Sequence, residues 1–294
     1  MSVPLPIDLG RSALSLTAPL ADDQCVIERF SAKYTGVVVA VDPVRIDAAA
    51  LAVGTTLGAA LGDIELVTVV PLGGHVAESH AALEQAAQRS GVSAIACTVL
   101  ERDDAPGTLI EHAGDDRLLV IGCRPTHPLW LPALGDVGRR VLAAATHPVL
   151  VVGPAVTSQF DRSASLIVCA HRGRPSALTL DAVERWVHTF GSEQTWVADV
   201  IPTSIDIGGD GAATVRTWVD ALAERNLVGR DRTLNGGDPV EWLEDFAADF
   251  TAAVYVTASD RYTDGRRHLR STTRDLIRRG RHPVLVVPDR SRTN

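Results

Sequence analysis

His147-Pro148-Val149-Leu150-Val151-Val152 returns, letter for letter, as His282-Pro283-Val284-Leu285-Val286-Val287, 135 residues further on. The flanks agree too. Each copy follows an arginine-bearing helical segment (137–145 and 271–280). Each of those follows a polar loop and an apolar strand (118–121 and 253–256). Recurrence of a whole strand–loop–helix–strand series at one period marks a structural unit used twice.

Working outward from the repeat, the first half reads as strands at 36–41, 65–70, 93–100 and 117–121, with helices at 44–61, 75–89, 106–113 and up to 145. The second half reads as strands at 166–170, 195–200, 230–234 and 253–256, with helices at 177–190, 212–224 and 239–249. Most of the strands are continuous apolar runs, the mark of a parallel sheet buried on both faces. The expected fold is therefore α/β: two tandem domains, each an open five-stranded parallel sheet with helices on both faces. Residues 1–32, with Pro4, Pro6 and Pro19, read as an extension; 33–155 is the first domain, 156–164 a polar linker, 165–289 the second domain and 290–294 a tail. A Val-Leu-Val-Val strand at a sheet edge invites pairing. The two copies are expected to pair with each other, giving an internal pseudo-dimer.

Bulk properties narrow the function. The chain has 294 residues, 46% of them hydrophobic, and a net charge of -8; its mean hydropathy is +0.10. That describes a folded protein, and the acidic balance argues against a nucleic-acid binder. No apolar run approaches the roughly 20 residues of a membrane span, and the first residues do not read as a secretory leader, so a cytoplasmic location is expected. Lys33 is the one lysine among 28 Lys and Arg, and Tyr34 follows it, which excludes a Gly-Lys-Ser/Thr phosphate loop. Cys97 and Cys169 lie in apolar runs and read as small buried hydrophobes, and no Cys-x-x-Cys pair or zinc spacing occurs. His75 and His80 read as surface residues. A nucleophile elbow of the Gly-x-Ser-x-Gly type is missing, so hydrolase chemistry has no motif behind it.

The order of landmarks resembles the universal stress protein family in its tandem two-domain form, over about residues 33–289. Val41-Asp42 closes the first strand; Gly237-Asp238-Pro239 opens a helix, with Asp104-Ala105-Pro106 at the matching place in the first half; and the Pro-Val-Leu-Val-Val strand occurs twice. The family's phosphate loop runs glycine, two residues, glycine, nine residues, glycine, then Ser or Thr. Here the first copy reads Gly122-Cys123-Arg124-Pro125, nine residues, Gly135-Asp136, and the second reads Thr257-Ala258-Ser259-Asp260, nine residues, Arg270-Ser271. The resemblance implies that an adenine nucleotide would be held by Val41, Asp42, Val69, Gly122, Pro125, Gly135, Asp136 and Val137.

The residues themselves argue for a weakened site. Glycines let backbone N–H groups approach a polyphosphate, and a helix N-terminus completes the cradle. Pro125 removes a donor. Asp136 puts a carboxylate at the helix start, where it is expected to accept backbone N–H bonds and repel a phosphate. The second copy has lost all three glycines; Thr257, Asp260 and Arg270 read as a solvated loop, and His171 stands where Asp42 stands in the first half. Asp42 reads equally as a nucleotide contact or as the N-cap of a helix starting near Pro43. Gly122 and Gly135 read as contacts or as tight turns. His171-Arg172-Gly173-Arg174 reads as an anion site or a polar turn.

The resulting expectation is a non-catalytic stress-response regulator or scaffold in which ATP binding is weak or lost, retained if anywhere in the first domain. It would act through a protein partner and form homo-oligomers. One alternative is a nucleotide-binding stress protein that signals by ATP occupancy. Another is a weak ATP hydrolase, which needs a charge clamp the sequence does not supply. No catalytic or metal-ligating residue is assigned, and no membrane or nucleic-acid partner is expected.

Overall fold

The computed structural model describes residues 33–92, 94–123, 134–157, 160–170, 174–192, 194–202, 210–259, 262–263, 266–267 and 271–288. The extension, Arg124, Pro125, His171 to Gly173, Asp260, Arg270 and the C-terminal tail lie outside the described residues.

The first half runs β1 (Gly36–Ala40), α1 (Ala48–Leu61), β2 (Ile64–Val70), α2 (Val76–Ser90), β3 (Ala96–Glu101), α3 (Ala105–Ala113), β4 (Arg117–Gly122), α4 (Asp136–Ala144) and β5 (Val149–Val152). The second runs β6 (Ser165–Cys169), α5 (Ala177–Phe190), β7 (Thr195–Pro202), α6 (Asp210–Ala223), β8 (Gly229–Gly236), α7 (Pro239–Ala247), β9 (Ala253–Ala258), a ribbon of β10 (Tyr262–Thr263) and β11 (Arg266–Arg267), α8 (Ser271–Arg279) and β12 (Val284–Val287).

Ten of the strands form one sheet in the order β3-β2-β1-β4-β5-β12-β9-β6-β7-β8. Within each half of this sheet every pairing is parallel. The halves meet where β5 and β12 run antiparallel, with Val284 opposite Val151, Leu285 opposite Leu150 and Val286 opposite Val149. Leu150 and Leu285 are the same position of the repeat, so a pseudo-twofold axis passes through that pair. All eight residues of the two strands are buried, so each copy covers what would otherwise be an aggregation-prone edge.

Alternation along each strand divides the core. Val37 and Val39 pack with α1, α2, α5 and α6 on one face, and Val38 packs with α3, α4, α7 and α8 on the other. Helix α1 lies unusually close to the sheet. A methyl group at Gly54 would come within 2.3 Å of Val39, and one at Gly58 within 2.6 Å of the Ile64 Cβ. These two glycines let the body of α1 lie against β1 and the start of β2.

A second contact ties the halves. Arg185, on α5, is 2% exposed. Its guanidinium donates to the Asp115 and Lys33 carbonyls of the first half and lies 4.0 Å from the centre of the Tyr34 ring. Tyr34 N–H donates to Thr189 Oγ1 at 2.9 Å, and its ring stacks on Phe190. Burial lowers the Arg185 pKa, while Tyr34, Asp116 and Asp115 oppose that shift. Within 156–164, Val156 is buried and Phe160 packs against the core.

Two expectations about elements need correction. The first crossover helix starts at Ala48, not at Val44, because Asp47 supplies the cap. Thr257 belongs to β9 and is buried rather than sitting in a solvated loop. The ribbon β10–β11 was not anticipated, and β11 lies beside α4 of the first half.

Candidate functional site

In the first half the strand order reverses between β1 and β4, the position at which open α/β sheets place their ligands. A cavity of about 650 Å³ opens there. Of the eight candidate residues, Val41, Asp42, Val69, Gly122, Gly135, Asp136 and Val137 all line it, and Pro125 lies outside the described residues. Residues up to 96 apart in sequence are thus gathered at the C-terminal ends of three parallel strands and the start of α4.

The chemistry of that space differs from expectation at Asp136. It is the first residue of α4, as anticipated, but it caps no N–H group there. Gly135 takes the cap position, and the Asp136 carboxylate turns outward to Arg139 one turn along. Both side chains are more than half exposed, so this pair is a weak, screened one.

The carboxylate that does fill a helix N-terminus is Asp47. Its Oδ1 accepts from Ala49 N–H and Ala50 N–H, both at 3.0 Å, at the start of α1. The Cys123 N–H, which donates to Val152 O in the sheet ladder, also faces it and favours its charged form. Burial is the largest influence on Asp47 and raises its pKa; the three N–H groups, Ala50, Ala49 and Cys123, act against that. The side chain rests on Gly122: a methyl group there would lie 2.6 Å from Asp47 Oδ2. Asp47 was legible as an Asp directly before Ala48-Ala49-Ala50, a helix-start signature, but the apolar Val44 and Ile46 draw a pattern reading into starting the helix too early.

Asp42 is not a helix cap. It accepts from Val44 N–H at 3.1 Å in a short turn leading toward Asp47. Of the described cysteines, Cys123 is the buried one, and burial together with the Asp47 charge pushes its thiol up to about 12. Cys97 and Cys169 are half-buried at the margins of the two core clusters, and burial pushes the Cys169 thiol up to about 12. His75 and His80 lie on the surface beside Glu78 and Glu84.

The second half repeats the frame but not the site. Cys123 N–H donates to Val152 O, and Ser259 N–H donates to Val287 O, so Ser259 is the counterpart of Cys123 and Ala258 that of Gly122. Sheet register gives the same answer, with Gly122 opposite Val152 and Ala258 opposite Val287. The loop to α8 is therefore one residue shorter than the loop to α4, and the equal spacing read from sequence was shifted by one position. Ser176 caps α5 through Thr179 N–H where Asp47 caps α1. Asp238 caps α7 and pairs with Arg279 of α8, much as Asp104 pairs with Arg140 of α4.

Among the described residues no group of three or more His, Cys, Asp or Glu is placed to hold a metal ion, and no helix is long and apolar enough to cross a membrane.

No family model and no curated protein matches the sequence. Solved structures do match. A universal stress protein from Archaeoglobus fulgidus superposes with a TM-score of 0.57 at 16% identity, covering 86% of this chain and 98% of its own. A functionally unknown protein from Pseudomonas aeruginosa gives 0.58 at 16% identity, over 87% and 93% of the two chains. A putative universal stress protein from Pseudomonas aeruginosa gives 0.56 at 16% identity, over 87% and 94%. The ten-stranded sheet, with its two parallel halves joined through a repeated edge strand, has the fold of the universal stress proteins.

Proposed function

We propose that this chain is a tandem universal stress protein working in the cytoplasm as a non-catalytic regulator or scaffold, with the first-half cavity as its ligand site and ATP binding weak or lost. The observation that carries this reading is the composition of the cavity. It lies at the β1/β4 switch point and retains Val41-Asp42, Gly122 and Gly135, but among the described residues its charged lining is Asp42, Arg45, Asp47 and Asp136, and with Asp136 paired to Arg139 this leaves two carboxylates against one guanidinium. A triphosphate needs the opposite balance. The second half has Ala258 for Gly122 and a ribbon in place of a glycine loop, which supports asymmetry between the halves. Since β5 and β12 pair within the chain, homo-oligomers would use another surface.

Calorimetric titration with ATP, AMP and cyclic AMP tests this. The expected result is no micromolar binding of ATP. Micromolar ATP binding would replace this reading with that of a stress protein signalling by nucleotide occupancy.

A further inference from the structure

We propose that Asp47 sets the ligand class of the first-half cavity: it occupies the anion position at the N-terminus of α1 with a tethered carboxylate, so that the cavity takes a molecule that is uncharged or cationic at that end. This rests on the reading that the cavity is the ligand site. A helix N-terminus attracts an anion because its first N–H groups lack partners and its dipole is positive there. In this chain those donors are already committed. Ala49 and Ala50 N–H groups donate to Asp47 Oδ1 at 3.0 Å each, and the Cys123 N–H across the switch point faces the same carboxylate. The space is committed as well, since Asp47 packs on Gly122 so closely that even a methyl group would not fit between them.

A phosphate entering at this end meets a half-buried negative charge, filled donors and a second carboxylate, Asp42, on the same loop, with Arg45 the one cation among the described lining residues. An uncharged or cationic group meets two carboxylate acceptors instead. The rest of the lining, including Val39, Val67, Leu109 and Ile121, suits an apolar or aromatic body. In the second half a neutral Ser176 does the capping, so the charge at this position is particular to the first.

The test uses the full chain and two probes that share a base and sugar, adenosine and ATP. Asp47→Ser keeps a helix cap and removes both charge and bulk; Asp47→Asn keeps the shape and removes the charge alone. Thermal unfolding checks that each variant is folded. Wild type is expected to bind adenosine more tightly than ATP. Asp47→Ser should gain at least about tenfold in ATP affinity, Asp47→Asn a smaller amount, and adenosine should change by less than about threefold in either. The inference is overturned if neither variant gains ATP affinity, if adenosine and ATP shift together, or if no protein binds either probe. Tight ATP binding by wild type would instead count against the reading of the site as ATP-poor, so the two failures are distinguishable.

Discussion

Gly122→Ala puts the close packing of Asp47 on β4 to a quantitative test. The new Cβ would lie 2.6 Å from Asp47 Oδ2 and 2.9 Å from its Cβ and Cγ. Separations this short cannot persist. Strand β4 is paired to β1 as far as Ile121 and to β5 through Gly122 itself, so it is the stiffer of the two sides. Asp47 has to move and surrender the bonds from Ala49 and Ala50. Losing an N-cap costs roughly 0.5–2 kcal/mol, and residual overpacking adds to that, for a total of about 1–3 kcal/mol. Urea unfolding at neutral pH measures it. Asp47→Gly removes all three clashing atoms, and glycine is itself a tolerable cap, so that variant should lose only a few tenths of a kcal/mol. The double variant should then be more stable than the two single losses predict, with a coupling of at least about 0.5 kcal/mol. In the second half the counterpart already carries a methyl group, and Ala258→Gly should cost only about 0.5–1 kcal/mol. A Gly122→Ala protein as stable as wild type, or strict additivity in the double variant, would refute the geometry.

Other outcomes follow from the same structure. Leu150→Ala and Leu285→Ala remove equivalent side chains on the pseudo-twofold axis, so each should cost about 2–5 kcal/mol, and the two should agree within about 1 kcal/mol by chemical denaturation. Arg185→Met keeps most of the buried volume but leaves the Asp115 and Lys33 carbonyls unpaired, a loss of about 1–3 kcal/mol in the same assay. Burial alone would raise the Glu65 carboxyl pKa, but bonds from Thr98, His112 and Arg117 outweigh it and hold the carboxyl below its ordinary value. Its contribution is therefore fully present above the ordinary glutamate range and is lost as pH falls through the lower folded value. Unfolding followed from neutral to acid pH should show a shallower loss of stability in Glu65→Gln than in wild type.

The fold was legible because its strongest element occurs twice. Val149 to Val152 and Val284 to Val287 are apolar enough to demand burial and identical enough to pair about an axis, and the β/α alternation around them leaves few topologies. The candidate site was legible as a place: sheet order gathers Asp42, Val69, Gly122 and Gly135 at one switch point. Its electrostatics were not. Whether Asp136 or Asp47 holds helix N–H groups depends on which residue has the non-helical backbone of a cap. Asp47 does, while Asp136 already lies in α4 and finds Arg139. The one-residue shift that makes Ala258 the partner of Gly122 was hidden for a related reason. Loop length can change by one residue without altering the hydrophobic pattern, and it takes the sheet register and the ladder bonds of Cys123 and Ser259 to reveal it.

The nucleotide content of the purified protein tests the central claim most directly. The protein would be purified without added nucleotide, denatured, and the released small molecules quantified by chromatography against protein concentration. ATP is expected far below one equivalent per chain, because among the described residues Asp42 and Asp47 line the cavity against Arg45 alone in the half that keeps Gly122 and Gly135. ATP recovered in near-stoichiometric amount would contradict it.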